Sequence, residues 1–107
     1  MNNKFDPRFI KFDKKSKYYS EDLTRNYQRV RETESFVNMR LRDKGVVTYG
    51  ELRKALGFER DSLAYNPTWD LFGWRLSEGD EEVSFYLIEH DGELFIDTSS
   101  CHLIVYP

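Results

Sequence analysis

The chain has 107 residues, of which 39% are hydrophobic, 16% aromatic and 33% charged, and its net charge is −3. This length supports one hydrophobic core, and the aromatic content argues against global disorder. The charge is unevenly placed, because residues 1–44 carry 12 basic and 7 acidic side chains whereas residues 45–107 carry 4 and 12. Such an asymmetry influences which charged partners are attracted and leaves the fold undetermined.

Cysteine content and hydropathy indicate the compartment. Cys101 is the single cysteine, so an internal disulfide is excluded and a reducing environment is favoured. No stretch approaches the roughly 18 apolar residues of a membrane span, and residues 1–13 lack the apolar core of a signal peptide. We therefore expect a cytoplasmic protein with no membrane partner.

Residues 1–19 combine basic residues, Pro7 and several aromatic side chains without helical or strand periodicity. The sequence therefore predicts a basic aromatic arm over residues 1–19, followed by one domain over residues 20–107. The arm holds more aromatic side chains than a solvated tail needs. We expect Phe9, Phe12 or Tyr18 to dock on the domain or on a partner.

A long helix is predicted over residues 21–44. Ser20 is the expected N-cap, acidic residues follow it, and Gly45 is the expected stop signal. Apolar residues recur at steps of three and four and predict one buried stripe. Its members are Leu23, Tyr27, Val30, Val37 and Leu41.

A short helix is predicted over residues 49–56. Thr48 and Glu51 have the spacing of a capping box, with Val47 and Leu52 as the flanking hydrophobic staple. Gly57 is expected to end the helix, because glycine adopts the left-handed conformation without steric cost.

From residue 71 onward the pattern becomes that of β-strands. Strands are predicted over residues 72–76, 83–88 and 93–97, with Asp91-Gly92 as a hairpin turn. A fourth strand is predicted over residues 101–106, and residues 59–70 form a loop with a turn at Asn66-Pro67. The sequence thus predicts an α+β fold with one long and one short helix packed on a three- to four-stranded antiparallel meander. The expected core comprises Val37, Leu41, Leu52, Leu56, Phe85 and Leu87.

No catalytic or metal-binding constellation is recognisable. Cys101 and His102 are adjacent in a predicted strand, so their side chains point to opposite faces and do not form a dyad. His90 lies in a turn, and one cysteine with two histidines is too few for structural zinc. The scattered glycines match no phosphate-binding loop. We expect no catalytic residue, no metal and no cofactor.

Two local patterns point to DNA-associated families. Residues 47–52, Asn66-Pro67 and Cys101-His102 resemble fragments of the alkylguanine-DNA alkyltransferases, in which a winged-helix element precedes a reactive Pro-Cys-His-Arg motif. Here Ser100 replaces the proline and Leu103 the arginine, so the catalytic motif is incomplete. A winged helix with Arg53, Lys54 and Arg60 facing phosphate is the related alternative. Its wing would be the acidic hairpin region, which opposes affinity for DNA.

A wider pattern covers residues 25–97. A long polar helix precedes residues 45–57, and these are followed by Gly73-Trp74 at the start of a strand and by an aromatic hairpin ending at residues 94–97. This order resembles a family of small uncharacterised proteins from phages and prophages of Gram-positive bacteria. The resemblance implies no particular functional residue, and residues 66–71 and 101–107 depart from the family pattern.

These observations favour a non-enzymatic protein-binding module of phage type, located in the bacterial host cytoplasm or in the virion. We expect an inhibitor or modulator of a host nucleic-acid-binding protein, with a minor virion or assembly component and a winged-helix nucleic-acid binder as alternatives. A protein partner is favoured over nucleic acid, and the oligomeric state is left open. The expected partner-binding acidic face comprises Glu78, Asp80, Glu81, Glu82, Glu89, Asp91 and Glu93. The alternative basic contact surface comprises Lys14, Lys15, Lys17, Arg25 and Arg29.

Overall fold

The computed structural model describes residues 8–58 and 70–104. The predicted α+β class is confirmed, with two helices and two antiparallel sheets. The predicted Asn66-Pro67 turn, the phosphate contact at Arg60 and the end of the fourth strand lie outside the described residues. The elements are β1 (Phe9–Phe12), α1 (Leu23–Lys44), β2 (Val46–Thr48), α2 (Tyr49–Ala55), β3 (Phe72–Arg75), a 3-10 turn (Leu76–Glu78), β4 (Tyr86–His90), β5 (Glu93–Asp97) and β6 (His102–Leu103).

Helix α1 begins at Leu23, two residues later than predicted, because Asp22 and not Ser20 is its N-cap. The Asp22 carboxylate accepts a hydrogen bond from the amide two residues further on, at 3.0 Å. The backbone of Ser20 instead pairs with the side chain of Asn26 through two hydrogen bonds of 2.8 Å. Serine and aspartate are comparable N-caps, so local sequence does not distinguish the two starting points. The helix ends before Gly45 as predicted.

Helix α2 has the predicted capping box. Thr48 Oγ1 accepts from the Glu51 amide at 3.1 Å, and Glu51 Oε1 accepts from the Thr48 amide at 2.9 Å. Gly57 follows the helix with φ at +95°. The Phe58 amide then donates to the Arg53 carbonyl at 3.1 Å, which is the outer hydrogen bond of a Schellman motif.

Part of the predicted arm is a strand of the folded unit. β1 pairs antiparallel with β5, and Ile10 and Phe12 are both 1% exposed. The expectation that an arm aromatic docks on the domain is therefore met by Phe12. Further along the arm, Ser16 Oγ donates to the Leu56 carbonyl at 2.6 Å and ties this segment to the end of α2. Four alternating residues are too few to distinguish a strand from irregular chain by period.

The strands are divided between two sheets, with the orders β1-β5-β4 and β2-β3-β6. The predicted turn at Asp91-Gly92 joins β4 to β5. β3 does not extend this hairpin into one continuous meander, since it pairs with β2 and sets Trp74 opposite Val47. Gly73 permits this close pairing, because a side chain there would collide with the Val47 carbonyl oxygen. The residues of β2 also cap α2, which conceals their strand character in the sequence.

One cluster of buried side chains joins both helices to one face of each sheet. Such a cluster is the single core expected for a domain of this size. Leu87 is only half-buried at its margin. The other predicted core residues are buried as predicted: Val37, Leu41, Leu52, Leu56 and Phe85.

Candidate functional site

The outer face of the β1-β5-β4 sheet carries two rows of side chains. Residues directly opposite one another in an antiparallel pair point to the same face. The register sets Phe9 beside Asp97 and Tyr86 in one row, and Lys11 beside Phe95 and Ile88 in the next. The apolar members of these rows, here termed the sheet face, are Phe9, Tyr86, Ile88 and Phe95.

The sheet face is open to solvent. Tyr86 is 77% exposed, Phe9 46% and Ile88 42%, while Phe95 is half-buried between them. The opposite face of the same sheet contributes Leu94 and other buried side chains to the core. Clustered exposed side chains of this size mark interaction surfaces more often than scattered ones do. The geometry therefore makes this face a candidate docking surface.

Three of the predicted acidic residues lie on the hairpin that borders the sheet face. Glu89, Asp91 and Glu93, here termed the acidic hairpin, are all exposed. Glu93 forms an ion pair of 2.7 Å with Lys11 across the sheet. Asp91 and Gly92 have φ of +52° and +77°, as the two-residue turn requires. Glu93 therefore shares the face of the apolar residues, whereas Glu89 lies opposite the buried Leu94 and points to the other face, at the exposed end of the hairpin.

Asp80 was predicted as part of the partner-binding acidic face, but its side chain is only 20% exposed. Its Oδ2 accepts from the Arg75 amide at 2.8 Å and lies 2.6 Å from Nε2 of His102. The other ring nitrogen of His102 lies 3.5 Å from Glu78. The hydrogen bond to Asp80 raises the pKa of His102, and partial burial opposes this shift. Asp80 and Glu78 therefore fasten β6 to the turn after β3.

Glu81 and Glu82 are exposed on the segment leading into β4. The residue that follows them, Val83, is buried in the core. The two carboxylates consequently remain available to a partner, unlike that of Asp80.

Cys101 has the environment of a structural cysteine. It is half-buried against the core cluster. Burial, with a smaller contribution from the Asp80 charge, raises the pKa of the Cys101 thiol to about 12. A thiol with this pKa stays protonated at neutral pH and is a poor nucleophile.

The basic residues predicted as an alternative contact surface are divided among different neighbours. Lys14 and Lys15 are exposed and line a cavity of about 310 Å³ together with Gly92 and Glu93 of the β4-β5 hairpin. Folding therefore brings basic arm residues beside the acidic half of the chain.

The remaining basic candidates lie near Tyr18. The Arg29 guanidinium lies 4.0 Å from the centre of the Tyr18 ring, and Lys17 Nζ lies 5.5 Å from it. Arg25 is 3.9 Å from Asp22. These cations are thus partly engaged by aromatic and acidic groups of the same chain.

A cavity of about 600 Å³ lies between α1 and α2. Phe36, Arg40, Glu51 and Asp70 are among its lining residues. Arg40 donates twice to Glu51, at 3.1 and 2.8 Å, so two of the charged groups in the groove pair with each other. The described residues of the groove offer mixed charge and no convergent set of catalytic groups.

The acidic hairpin was predictable from the sequence, whereas the sheet face was not. Residues 83–88 are apolar at nearly every position, and such a run indicates burial on both faces without identifying a partner. The contribution of Phe9 depends on β1 pairing with β5, which brings together residues 88 positions apart. The available signal for the sheet face was a run of residues that is apolar on both faces and lies beside a turn rich in carboxylates.

Among residues 8–58 and 70–104, no group of three or more histidine, cysteine or carboxylate side chains is placed to hold a metal ion. Within the same described ranges, no helix has the length and apolar character needed to cross a membrane. No protein-family model, curated protein or solved structure matches this chain.

Proposed function

We propose that this protein is a non-enzymatic protein-binding module whose partner docks on the sheet face and the acidic hairpin. The observation that carries this proposal is the 77% exposure of Tyr86 beside Phe9 and Ile88 on one face of a sheet. Tyrosine is enriched among the residues that dominate binding energy at interfaces. An apolar centre with a charged rim is also the usual composition of such a surface.

The charge of this sheet favours a basic partner. Residues 9–12 and 86–97 carry four carboxylates and one lysine, and Glu81 and Glu82 lie just before β4. Clustered charge chiefly accelerates encounter with an oppositely charged surface, while apolar contacts slow dissociation. The two parts of the surface therefore have complementary roles.

The proposed biological role is inhibition or modulation of a host nucleic-acid-binding protein by a phage-type protein in the host cytoplasm. The acidic hairpin would occupy the basic groove that otherwise holds phosphate. The support comes from the charge of the hairpin and from the resemblance of residues 25–97 to phage and prophage proteins. A minor virion or assembly component is the second role, in which the same surface binds a phage structural protein.

The test is affinity capture from a Gram-positive host lysate with the whole chain and matched variants. We expect Tyr86→Ser, and separately the triple change of Glu89, Asp91 and Glu93 to amides, to lose the protein that the unchanged chain captures. Met39→Ser is the control, because Met39 is an exposed apolar residue on α1. Equal capture by all four proteins would contradict the proposed surface.

A duplex-binding measurement separates the nucleic-acid alternative. The docking proposal predicts no binding of a duplex of about 20 base pairs at micromolar concentration in moderate salt. Binding that weakens when Lys14, Lys15 and Lys17 are neutralised would favour the basic surface and reject our proposal.

A further inference from the structure

One edge of the β1-β5-β4 sheet is formed by β4, which pairs with β5 alone among the strands of residues 8–58 and 70–104. An unpaired edge strand presents backbone donors and acceptors on which another chain can add a strand. Four of the five residues of β4 are exposed, and Leu87 is half-buried. The β4 edge is therefore a candidate for main-chain recognition.

The hairpin turn determines which backbone groups point outward from this edge. With a two-residue turn at Asp91-Gly92, the closing pair His90 and Glu93 exchanges hydrogen bonds, and every second pair does the same. On the far side of β5 the Thr98 amide donates to the Arg8 carbonyl at 2.7 Å, in agreement with this alternation. The N–H and C=O groups of Leu87 and Glu89 therefore point away from β5.

Side chains of helix α1 already form hydrogen bonds with the backbone of the segment that precedes β4 along the same edge. The Asn38 side chain accepts from the Val83 amide at 2.6 Å and donates to the Val83 carbonyl at 2.9 Å. In this way the amide group of Asn38 replaces a neighbouring strand at Val83. The backbone groups of Val83 are therefore not available to an added strand.

The next outward residue, Phe85, is satisfied by two further side chains of α1. Its amide donates to Glu34 at 2.7 Å, and its carbonyl accepts from Arg31 at 3.1 Å. Within the described ranges no hydrogen bond continues this series to the outward groups of Leu87 or Glu89. With respect to the described part of the chain, the backbone of this edge is hydrogen-bonded to α1 as far as Phe85 and open from Leu87 onward.

We propose that an extended segment of the basic partner adds to the β4 edge as a fourth strand, with backbone hydrogen bonds to Leu87 and Glu89. This inference rests on the proposed function and specifies how the partner is recognised. Strand addition obtains affinity from main-chain hydrogen bonds and specificity from alternate side chains. A segment that alternates apolar and basic residues fits, because its apolar side chains lie beside Tyr86 and Ile88 and its basic ones beside Glu89.

Charge favours this occupant over a second copy of the chain. Pairing of two β4 edges would bring Glu89 and Asp91 of both copies to one interface, together with the exposed Glu81 and Glu82 nearby. Like charges placed across a strand pair are destabilising. A basic segment in place of the second copy avoids this repulsion between carboxylates.

The experiment uses the whole chain and a capped nine-residue peptide of alternating lysine and valine. Nuclear magnetic resonance should show that the Leu87 and Glu89 amides exchange with solvent at least about tenfold more slowly when peptide is bound. A peptide of alternating glutamate and valine is the charge control. Two N-methylated lysine–valine peptides, methylated on alternate sets of amides, are the backbone control, and only one of them should bind.

Glu89→Pro tests the edge from the protein side. Its N–H points outward, where proline is compatible with an edge strand, so peptide affinity should fall at least about tenfold while the fold remains. Glu89→Gln keeps the donor and should weaken binding only about two- to fivefold, as expected for an exposed charge. No binding of the lysine–valine peptide, unchanged Leu87 and Glu89 exchange, equal binding of both methylated peptides, or self-association through this edge would each overturn the inference.

Capture of the host protein tests the proposed function separately from the added strand. If Glu89→Pro still captures that protein while Tyr86→Ser does not, the sheet face binds and the added strand is rejected. If Tyr86→Ser captures it as well as the unchanged chain does, the proposed docking surface itself is rejected.

Discussion

His102 connects the last described strand to the turn after β3 through two carboxylates. Its Nε2 is 2.6 Å from Asp80 and its Nδ1 is 3.5 Å from Glu78. The protonated ring is favoured in the folded state, since the hydrogen bond to Asp80 raises the pKa of His102 above its usual value of 6.5. The stabilisation is therefore fully present below pH 6.5 and is lost as pH rises through the folded pKa.

A pH series of urea unfolding tests this linkage. The free energy of unfolding of the unchanged chain should exceed that of His102→Gln most strongly near about pH 6, and the two should converge by about pH 8.5. Asp80→Asn should remove most of the same pH dependence. His90→Gln is the control, because the side chain of His90 is 74% exposed. If the stability difference between the unchanged chain and His102→Gln increases with pH, the folded state does not favour the protonated ring of His102.

Asn38 illustrates a buried polar residue whose role is invisible in the sequence. It lies on the apolar stripe side of α1, and both ends of its amide bind the backbone of Val83. Asn38→Ala leaves a buried donor and acceptor without partners and should lower the free energy of unfolding by about 1–3 kcal/mol. Ser35→Ala, at an exposed position on the same helix, should change it by less than about 0.5 kcal/mol. Equal effects in chemical denaturation would show that the Asn38 contacts contribute nothing specific.

At the scale of elements, local signals predict the helices better than the short strands. The capping box of α2 involves Thr48 and Glu51, three residues apart, so the sequence contains the whole interaction. β1 and β2 are 4 and 3 residues long, and each exists because a distant strand pairs with it. The acidic hairpin was predictable from its turn, whereas the neighbours of Phe9 and the partner of Asp80 depend on tertiary contacts.

β1 provides a matched pair of positions for testing whether the arm belongs to the folded unit. Phe12 is 1% exposed and packs edge-on against Phe58 with ring centres 6.2 Å apart, whereas Phe9 is 46% exposed on the opposite face. Phe12→Ala should cost about 3–5 kcal/mol by emptying a core site. Phe9→Ala should cost less than about 1 kcal/mol and should instead weaken partner binding. If Phe12→Ala lowers the free energy of unfolding only slightly in chemical denaturation, residues 9–12 are an accessory arm and do not belong to the folded unit.

At the scale of the whole molecule, folding partly cancels the charge asymmetry of the sequence. Lys14 and Lys15 lie beside the hairpin carrying Glu93, and Lys11 pairs with Glu93 directly. Around β4, the exposed residues Glu81, Glu82 and Glu89 have no such cation beside them, while Asp91 lies 3.2 Å from the ring of His90. The electrostatic field that a partner meets here is therefore negative along the β4 edge and along the segment that leads into it.

The kinetics of partner binding should reflect this concentrated field. Changing Glu81, Glu82 and Glu89 to glutamine should slow association and flatten its dependence on salt, because exposed clustered charge mainly accelerates encounter. The dissociation rate and the unfolding midpoint should hardly change, since these side chains make no described hydrogen bond or ion pair. Asp80→Asn is the contrasting variant, for it should lower stability through His102 and leave the association rate nearly unaltered. Surface-based kinetics with the captured partner at two salt concentrations, paired with urea unfolding, measures both effects. If the triple variant unfolds early while Asp80→Asn associates slowly, the roles assigned to the exposed and half-buried carboxylates are reversed.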